Sequence, residues 1–486
     1  MLRPAILLTW VGLLAVLGYR TWSASAVRTE PPVVSDTPAG ASEEWMGVYQ
    51  GSHKIGYTQQ SVVPDGDGYR FAQMSVLRLA VLGAPQTVHT LAQGTTDHHW
   101  ALRDMTFELT SGPSTLHVAA QVDGSVLAVT IRTGGETTTQ RVPLSDPVYV
   151  PAMVRTLVGS EPLVAGRVLE ASVFDPTVMR NEPIRLVVDR EEEVPGTDGA
   201  RRAWRVREGF RGMETVVWLD GQGAVWREEG PMGLVLIRED PARALHAGWE
   251  DGTILDLVNA MAVPVGDIEN PRTRPSLRLQ LSGIRADRVP SDAVQRWDGT
   301  TITITPPALG RVGTYPLPYR GDELRAELAP DPLLQSEHPR VRAAAVAAIG
   351  DTTDAKVAVQ RLTDWVYRTL RKTPTVSIPN ALQVLDMGAG DCNEHAVLLA
   401  ALGRAVGVPT RLVAGVVYVD GAFLYHAWCE VWLGEWVAVD PAFGQVPADA
   451  THIKFVAGGP EEQFAMVEVI GRLRITPVEA GGPPPG

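Results

Sequence analysis

Several features that would announce a function are scarce in this 486-residue chain. It has two cysteines, Cys392 and Cys429, too few for a zinc ribbon, an iron–sulfur cluster or a disulfide-dense scaffold. Lysine occurs only at positions 54, 356, 372 and 454; the other basic residues are arginine. Positive charge is short overall, with 43 Lys and Arg against 56 Asp and Glu and a net charge of -13. A nucleic-acid backbone is therefore a poor partner. No apolar run reaches the roughly 18 residues of a membrane span. The longest is AILLTWVGLLAVL at residues 5–17. With 45% hydrophobic and 20% charged residues, the chain is neither fibrous, disordered nor a multi-span membrane protein. Its length allows two to four domains of about 100–200 residues each.

The apolar run follows Arg3 and precedes Ala24-Ser25-Ala26, a small-x-small cleavage site. This is the layout of a signal peptide over residues 1–26. Arg20 between run and site points to the alternative, an uncleaved anchor through residues 5–19. Either way the expected location is outside the cytoplasm: periplasmic or at the cell surface, held to the inner membrane if uncleaved. Residues 27–43 (VRTEPPVVSDTPAGASE) read as a solvated, disordered linker.

From 44 to 240 the pattern has period two. MSVLRLAVL, TVHTLAQGT, MTFELT, TLHVAAQV and SVLAVTIRT are separated by Gly-, Pro- and Asp-rich turns, which predicts an antiparallel β-rich domain. One helix is expected near 151–158, and a hairpin around Asp220-Gly221-Gln222-Gly223. Residues 241–330 mix β signals with Pro-rich connections and read as a connecting or smaller β unit. From 331 to 475 the character changes. Val357, Leu362, Trp365, Val366 and Leu370 fall near one helical face, a nearly all-apolar helix follows Cys392, and strand segments come next. Helices followed by antiparallel strands make the predicted fold class α+β. Residues 476–486 read as a disordered tail.

Gly388-Ala389-Gly390-Asp391-Cys392-Asn393-Glu394 opens the apolar helix. Asp391 is a good N-cap and Glu394 stands where a capping-box acid belongs. Cys392 then occupies the first turn, where free amide donors and the positive dipole end favour a thiolate that reacts well below pH 8. The flanking glycines would let a substrate backbone approach. Two readings compete with a nucleophile: an inert buried thiol and a disulfide to Cys429.

In YHAWCEVW, residues 425–432, strand alternation puts His426, Trp428 and Glu430 on one face and Ala427, Cys429 and Val431 on the other. If His426 faces the helix bearing Cys392, Cys429 points away from it. Asp440 ends the next strand, 14 residues after His426. It is placed to accept the second imidazole N–H and orient the ring toward the sulfur.

GDCNEHAVLLAALGRAVGVPTRLVAGVVY, then HAWCEVWLGEWVAVDPAFG, then DATHIKF strongly resembles the transglutaminase-like superfamily, over about residues 331–475. The resemblance implies a papain-like core in which a helix bearing the nucleophile packs on an antiparallel sheet bearing the base. It implies Cys392 as nucleophile, His426 as general base and Asp440 as orienting acid. The backbone N–H of Cys392 is the natural oxyanion donor; the second lies among Asn380, Gln383 and Trp365. Residues 44–240 resemble the curved antiparallel sheets found beside such cores in bacterial envelope proteins.

The implied activity is attack on an amide bond through a Cys392 thioester, released to water by a peptidase or amidase of the bacterial envelope. The alternatives are amine transfer that cross-links proteins, and a binding or scaffold module without chemistry. A metal site from Cys392, His395, His426 and Asp440 is the least favoured reading. No cofactor is expected, and the expected partner is a peptide or protein substrate.

Overall fold

Alternating burial organises the first region strand by strand. The structure, a computed structural model, describes residues 41–81, 84–112, 114–133, 136–177, 179–197, 199–210, 213–230, 233–246, 255–256, 262–374, 378–458, 466, 469 and 472–478. The expected signal peptide or anchor lies outside these residues. Among them, no helix is long and apolar enough to cross a membrane. Strand makes up 50% and helix 17%, so the α+β class holds only in part: strands dominate, and most of the helix lies in the C-terminal region.

The strands are β1 (Ser42–Gln50), β2 (His53–Asp65), β3 (Gly68–Val81), β4 (Ala84–Asp97), β5 (Leu102–Ser111), β6 (Ser114–Asp123), β7 (Val126–Thr133) and β8 (Glu136–Pro143). The series continues with β9 (Val148–Tyr149), β10 (Val168–Asp175), β11 (Arg180–Gly196), β12 (Gly199–Phe210), β13 (Met213–Leu219), β14 (Val225–Glu229) and β15 (Leu234–Glu239). Strands β1 to β8 pair one after another in sequence order, and so do β9 to β15, with β8 and β9 at the two ends of the sheet. The two meanders join where β1 pairs with β15, from Trp45 opposite Glu239 to Gln50 opposite Leu234. All these pairings are antiparallel except β9 with β10. A short β16 (Leu255–Asp256) runs parallel beside β3. Ser42 and Glu43, expected in the linker, already belong to β1, because the ladder with β2 extends to Val62 and Ser61.

The expected helix is α1 (Pro151–Gly159). Proline is tolerated at its first position because that N–H has no helical partner. The helix buries Met153, Val154, Leu157 and Val158. The expected hairpin joins β13 to β14, with the Asp220 carboxylate accepting from the N–H groups of Gln222 and Ala224.

The second compact unit holds most of residues 257–486. The stretch 241–330 is therefore not a unit of its own. Its β17 (Val263–Pro264) pairs with the later strand β24, while β18 (Leu277–Ser282), β19 (Gln295–Trp297) and β20 (Thr301–Ile304) form a small sheet completed by β27 (Arg474–Pro477). Thr476 and Pro477, expected in the tail, are strand residues, because Ile475 is buried in that sheet beside Leu281. Helices α2 (Pro339–Ile349), α3 (Ala355–Thr369), α4 (Ala381–Met387) and α5 (Cys392–Ala405) follow, with the two-residue β21 (Arg371–Lys372) and β22 (Ala389–Gly390) paired before α5. The buried stripe of α3 is Ala355, Ala358, Val359, Leu362 and Val366. Val357 and Trp365, expected on that face, are only half-buried. Strands β23 (Thr410–Val419), β24 (Ala422–Trp432), β25 (Trp436–Val439) and β26 (Ile453–Gly458) then make a sheet in the order β17-β24-β23-β26, with β25 on β24. Helix α5 packs on β23 and β24 and is wrapped by α2, α3 and α4. Every residue from Cys392 to Arg404 is buried.

Candidate active site

The loop into α5 is built by its cap. The Asp391 carboxylate accepts from the N–H of Asn393 at 3.0 Å, and Glu394 Oε2 accepts from the N–H of Asp391 at 2.8 Å. The glycines serve this turn. Gly388 ends α4 in the left-handed region at φ +55°. At Gly390 a Cβ would come within 2.3 Å of the Glu394 side chain. The close approach that glycine permits here is to the capping acid, not to a substrate backbone.

Cys392 is the first residue of α5 and is 1% exposed. Its Sγ accepts the backbone N–H of Ala427 at 3.1 Å. Strand β25 ends at Val439 opposite Cys429, and the sulfur meets β24 beyond that end, at Ala427, the residue after His426. Cys429 does not turn away from the helix: its Sγ donates to the carbonyl of Ala396, within α5. The Cys429 face of β24 therefore packs on the body of the helix. Strand alternation gives His426 the opposite face, and Cys392, at the helix tip, reaches the N–H of the next residue, Ala427. Both cysteines are free.

His426 Nε2 lies 2.6 Å from Asp440 Oδ2, and both side chains are fully buried. The aspartate Oδ1 accepts from the N–H groups of Ala442 at 2.7 Å and Phe443 at 3.0 Å. An ionised carboxylate only accepts, so Nε2 carries the proton and Nδ1 holds the lone pair. That Nδ1 is buried without a hydrogen-bond partner among the described residues. The ring of Phe443 stacks on His426 at 5.1 Å and 20°.

Sequence reasoning missed His452, although it lies inside the DATHIKF segment. Its Nε2 reaches the same Asp440 oxygen at 3.0 Å, and its Nδ1 faces the Asp449 carbonyl at 3.1 Å and carboxylate at 3.3 Å. With acceptors at both nitrogens the ring is an imidazolium. Asp449 is in turn bound by Arg272 Nη1 at 2.9 Å and Gln445 Nε2 at 2.8 Å. The Arg272 guanidinium lies 4.6 Å from the centre of the Phe443 ring. The usable signal was the D-x-x-H spacing of Asp449 and His452, which brings a carboxylate and an imidazole together locally.

The electrostatics follow from burial and these contacts. Burial alone would raise Asp440, but His426 and His452 outweigh it and hold the carboxyl well below its usual range. Burial works against a charged His452, yet Asp440 and Asp449 prevail and raise it to about 9. Burial lowers His426 despite Asp440. Cys392 is pushed up by burial and then by Asp391, against the pull of the Ala427 N–H. The resting site thus pairs a neutral thiol with a neutral imidazole. The expected low-pKa thiolate is not what the structure favours, because desolvation is the largest effect on the sulfur and the Asp391 charge adds to it.

Asn380 and Gln383 are joined to each other at the start of α4, with Asn380 Nδ2 donating to Gln383 Oε1 at 3.2 Å. His395 Nδ1 is turned to the carbonyl of Asp391 at 2.5 Å. The His426, Asp440 and His452 ligand atoms lie within 4.8 Å of one another, a spacing a metal ion could use. Here the two imidazoles instead donate to one carboxylate oxygen.

Residues 342–441 match the family model of the transglutaminase-like superfamily. They are a transglutaminase-like domain. Among solved structures, a candidate cysteine protease from Cytophaga hutchinsonii is 17% identical, with a TM-score of 0.31, covering 44% of this chain and 82% of its own. A β-barrel-like protein of a domain of unknown function from Brucella abortus is 11% identical, with a TM-score of 0.32, covering 42% of this chain and 96% of its own. No curated protein matches the sequence.

Proposed function

We propose that the transglutaminase-like domain is a cysteine-dependent amide hydrolase with Cys392 as nucleophile, His426 as general base and Asp440 as orienting acid. The observation that carries this reading is the tautomer of His426: Asp440 holds the Nε2 proton and leaves a buried Nδ1 lone pair, unpartnered among the described residues, on the residue just before Ala427, whose N–H the Cys392 sulfur accepts. Nδ1 takes the thiol proton as sulfur attacks the amide carbonyl. The oxyanion is met by the N–H of Cys392 at the head of α5. The imidazolium returns its proton to the leaving amine as the C–N bond breaks, leaving a thioester. Water then attacks, giving a proton to Nδ1, and the acid and free thiol are released. His452 and Asp449 hold Asp440 so that it stays ionised and aimed at His426. Substrate entry requires Phe443 to swing off the imidazole, since Cys392 and His426 are each 1% exposed. The substrate is a peptide or protein of the cell envelope, reached by export through the N-terminal segment.

The test is mass spectrometry of wild-type and Cys392→Ala protein incubated with envelope extracts. New cleavage products and a transient adduct on Cys392, both missing in the variant, are expected. An adduct that persists in water and resolves only with an added amine would make the enzyme a cross-linking transferase. Identical product profiles for the two proteins would leave a binding module. Iodoacetamide adds a second readout: Cys392 should label slowly at neutral pH and faster as pH rises, because burial keeps it a thiol.

A further inference from the structure

Three of the four lysines are spent inside the fold. Lys54 pairs with Glu239 at 2.6 Å, and Lys454 pairs with Asp292 at 2.5 Å and with Glu430. Lys356 donates to the Val312 carbonyl at 2.7 Å. Lys372 is different: among the described residues no carboxylate stands within ion-pair range of it, and its ammonium lies 3.7 Å from the centre of the Tyr367 ring. An aromatic face steadies a cation without neutralising it. Strand β21 brings this charge to the candidate nucleophile. Lys372 stands opposite Gly390 in the parallel pair with β22, and the N–H of Thr373 donates to the Gly390 carbonyl at 3.1 Å. Gly390 is two residues before Cys392, so the Lys372 backbone lies within about 10 Å of that of the cysteine. Arg371, the exposed residue before it, faces the other way by strand alternation.

Tyr367 ties the same ammonium to the other half of the site. The ring is 38% exposed and lies against Gly444, where a Cβ would come within 2.9 Å of it. Gly444 follows Phe443, whose ring stacks on His426. The charge and its aromatic seat thus stand between the strand that leads into Cys392 and the turn that covers His426. The Lys372 charge is also felt at His395, one turn after Cys392 on α5. In a chain of net charge -13 a local cation still sets the local potential, because salt screens acids farther than about 8–10 Å away. We propose, resting on the reading of Cys392 as the nucleophile, that Lys372 is a specificity-determining residue that selects peptides with a carboxylate on the residue flanking the scissile amide. That carboxylate accepts from the ammonium N–H groups, and the side-chain methylenes leading to it pack on the exposed part of Tyr367. A flanking lysine or arginine would meet a like charge, and a flanking neutral residue would gain only the apolar contact.

The test is the rate at which Cys392 of the full chain is alkylated by iodoacetate and by iodoacetamide, read at that residue by peptide mass spectrometry. The two reagents are similar in size, lose the same iodide and differ by one negative charge. Lys372→Met, which keeps the length and removes the charge, should lower the ratio of the iodoacetate rate to the iodoacetamide rate by about fivefold, the size of one close opposite charge near water. A change in the acidity of the thiol alters both rates alike and cancels in the ratio. Lys372→Arg should hold the ratio within about twofold, and Arg371→Gln should leave it where it is. In the wild type the ratio should fall as salt is raised to about 0.5 M. An unchanged ratio in Lys372→Met overturns the proposal; if that variant fails to fold, a salt-insensitive wild-type ratio overturns it. Turnover gives the second arm. On a peptide that the extracts show to be cut, a flanking Glu should exceed Gln by about tenfold in kcat/KM, and Lys372→Met should lose that preference. Cleavage without the preference overturns this proposal alone, whereas no cleavage of any peptide overturns the hydrolase reading and this proposal with it.

Discussion

The molecule buries polar groups in two ways. Around Asp440 they are saturated: one carboxylate takes two imidazoles and two backbone N–H groups, and a second carboxylate closes the far side of His452. In the β-rich region the buried Ser75 and Thr90 line a cavity, and Arg155 serves two acids, Glu208 and Glu228. The first arrangement fixes geometry at the cost of access. The second keeps access. A group that must hold one proton on one atom needs the first kind of site, whereas a group that meets a visitor needs the second.

The largest effects should come from breaking the saturated cluster. Cys392→Ala and His426→Ala should each abolish turnover, because the proposed mechanism gives the covalent bond to one and the proton transfer to the other. Asp440→Asn should leave a remainder, with a loss on the order of 10²–10⁴. Wild-type rates in Cys392→Ala on whatever substrate is found would end the covalent reading. His452→Gln should cost less, about 10–100-fold by the usual size of supporting partners. It should also move the acid limb of kcat/KM to higher pH, since the His452 cation helps keep His426 low. A fall in rate with an unmoved limb would reduce His452 to packing.

In the open region Arg155→Met should destabilise by about 3 kcal/mol, because Glu208 would be left buried without its cation. Urea unfolding measures it, and a neutral result would mean the acids protonate instead. The pH dependence of stability separates the regions again. His452 is raised from 6.5 to about 9, so its contribution is complete below about pH 6.5 and is lost as pH rises through 9. That loss, on the order of a few kcal/mol, should vanish in His452→Gln. The smallest effect belongs to Ser75→Ala, which removes one hydroxyl from the cavity wall and should change stability by less than about 0.5 kcal/mol. A larger loss would show that the hydroxyl is bonded within the fold.

Placement was legible where local rules decide it. Asp391 and Glu394 announce a helix start, so the position of Cys392 could be read from the seven residues Gly388 to Glu394. Alternation through YHAWCEVW put His426 and Cys429 on opposite faces, as observed. Which face meets the helix was not legible, because that depends on where β25 stops, and Cys429 turned out to lie against α5. The charge state of Cys392 was misread for a related reason. The helix end is visible in sequence, whereas its burial by three other helices and a sheet is not. His452 escaped because its second partner, Asp440, lies 12 residues away and is brought back only by the turn that Asp440 itself holds. The role of Gly390 was likewise set by a side chain four residues on.

The pairing of β1 with β15 has a consequence in time. Every other antiparallel pairing in that sheet joins neighbours in sequence, which close quickly as short loops. Trp45 must wait for Glu239, a chain closure of about 190 residues. The two meanders can therefore form separately and early, while their junction sets the pace of completion. A polypeptide emerging N-terminus first presents β1 as an unpaired edge, open to a neighbouring copy, until the strand that covers it has been made.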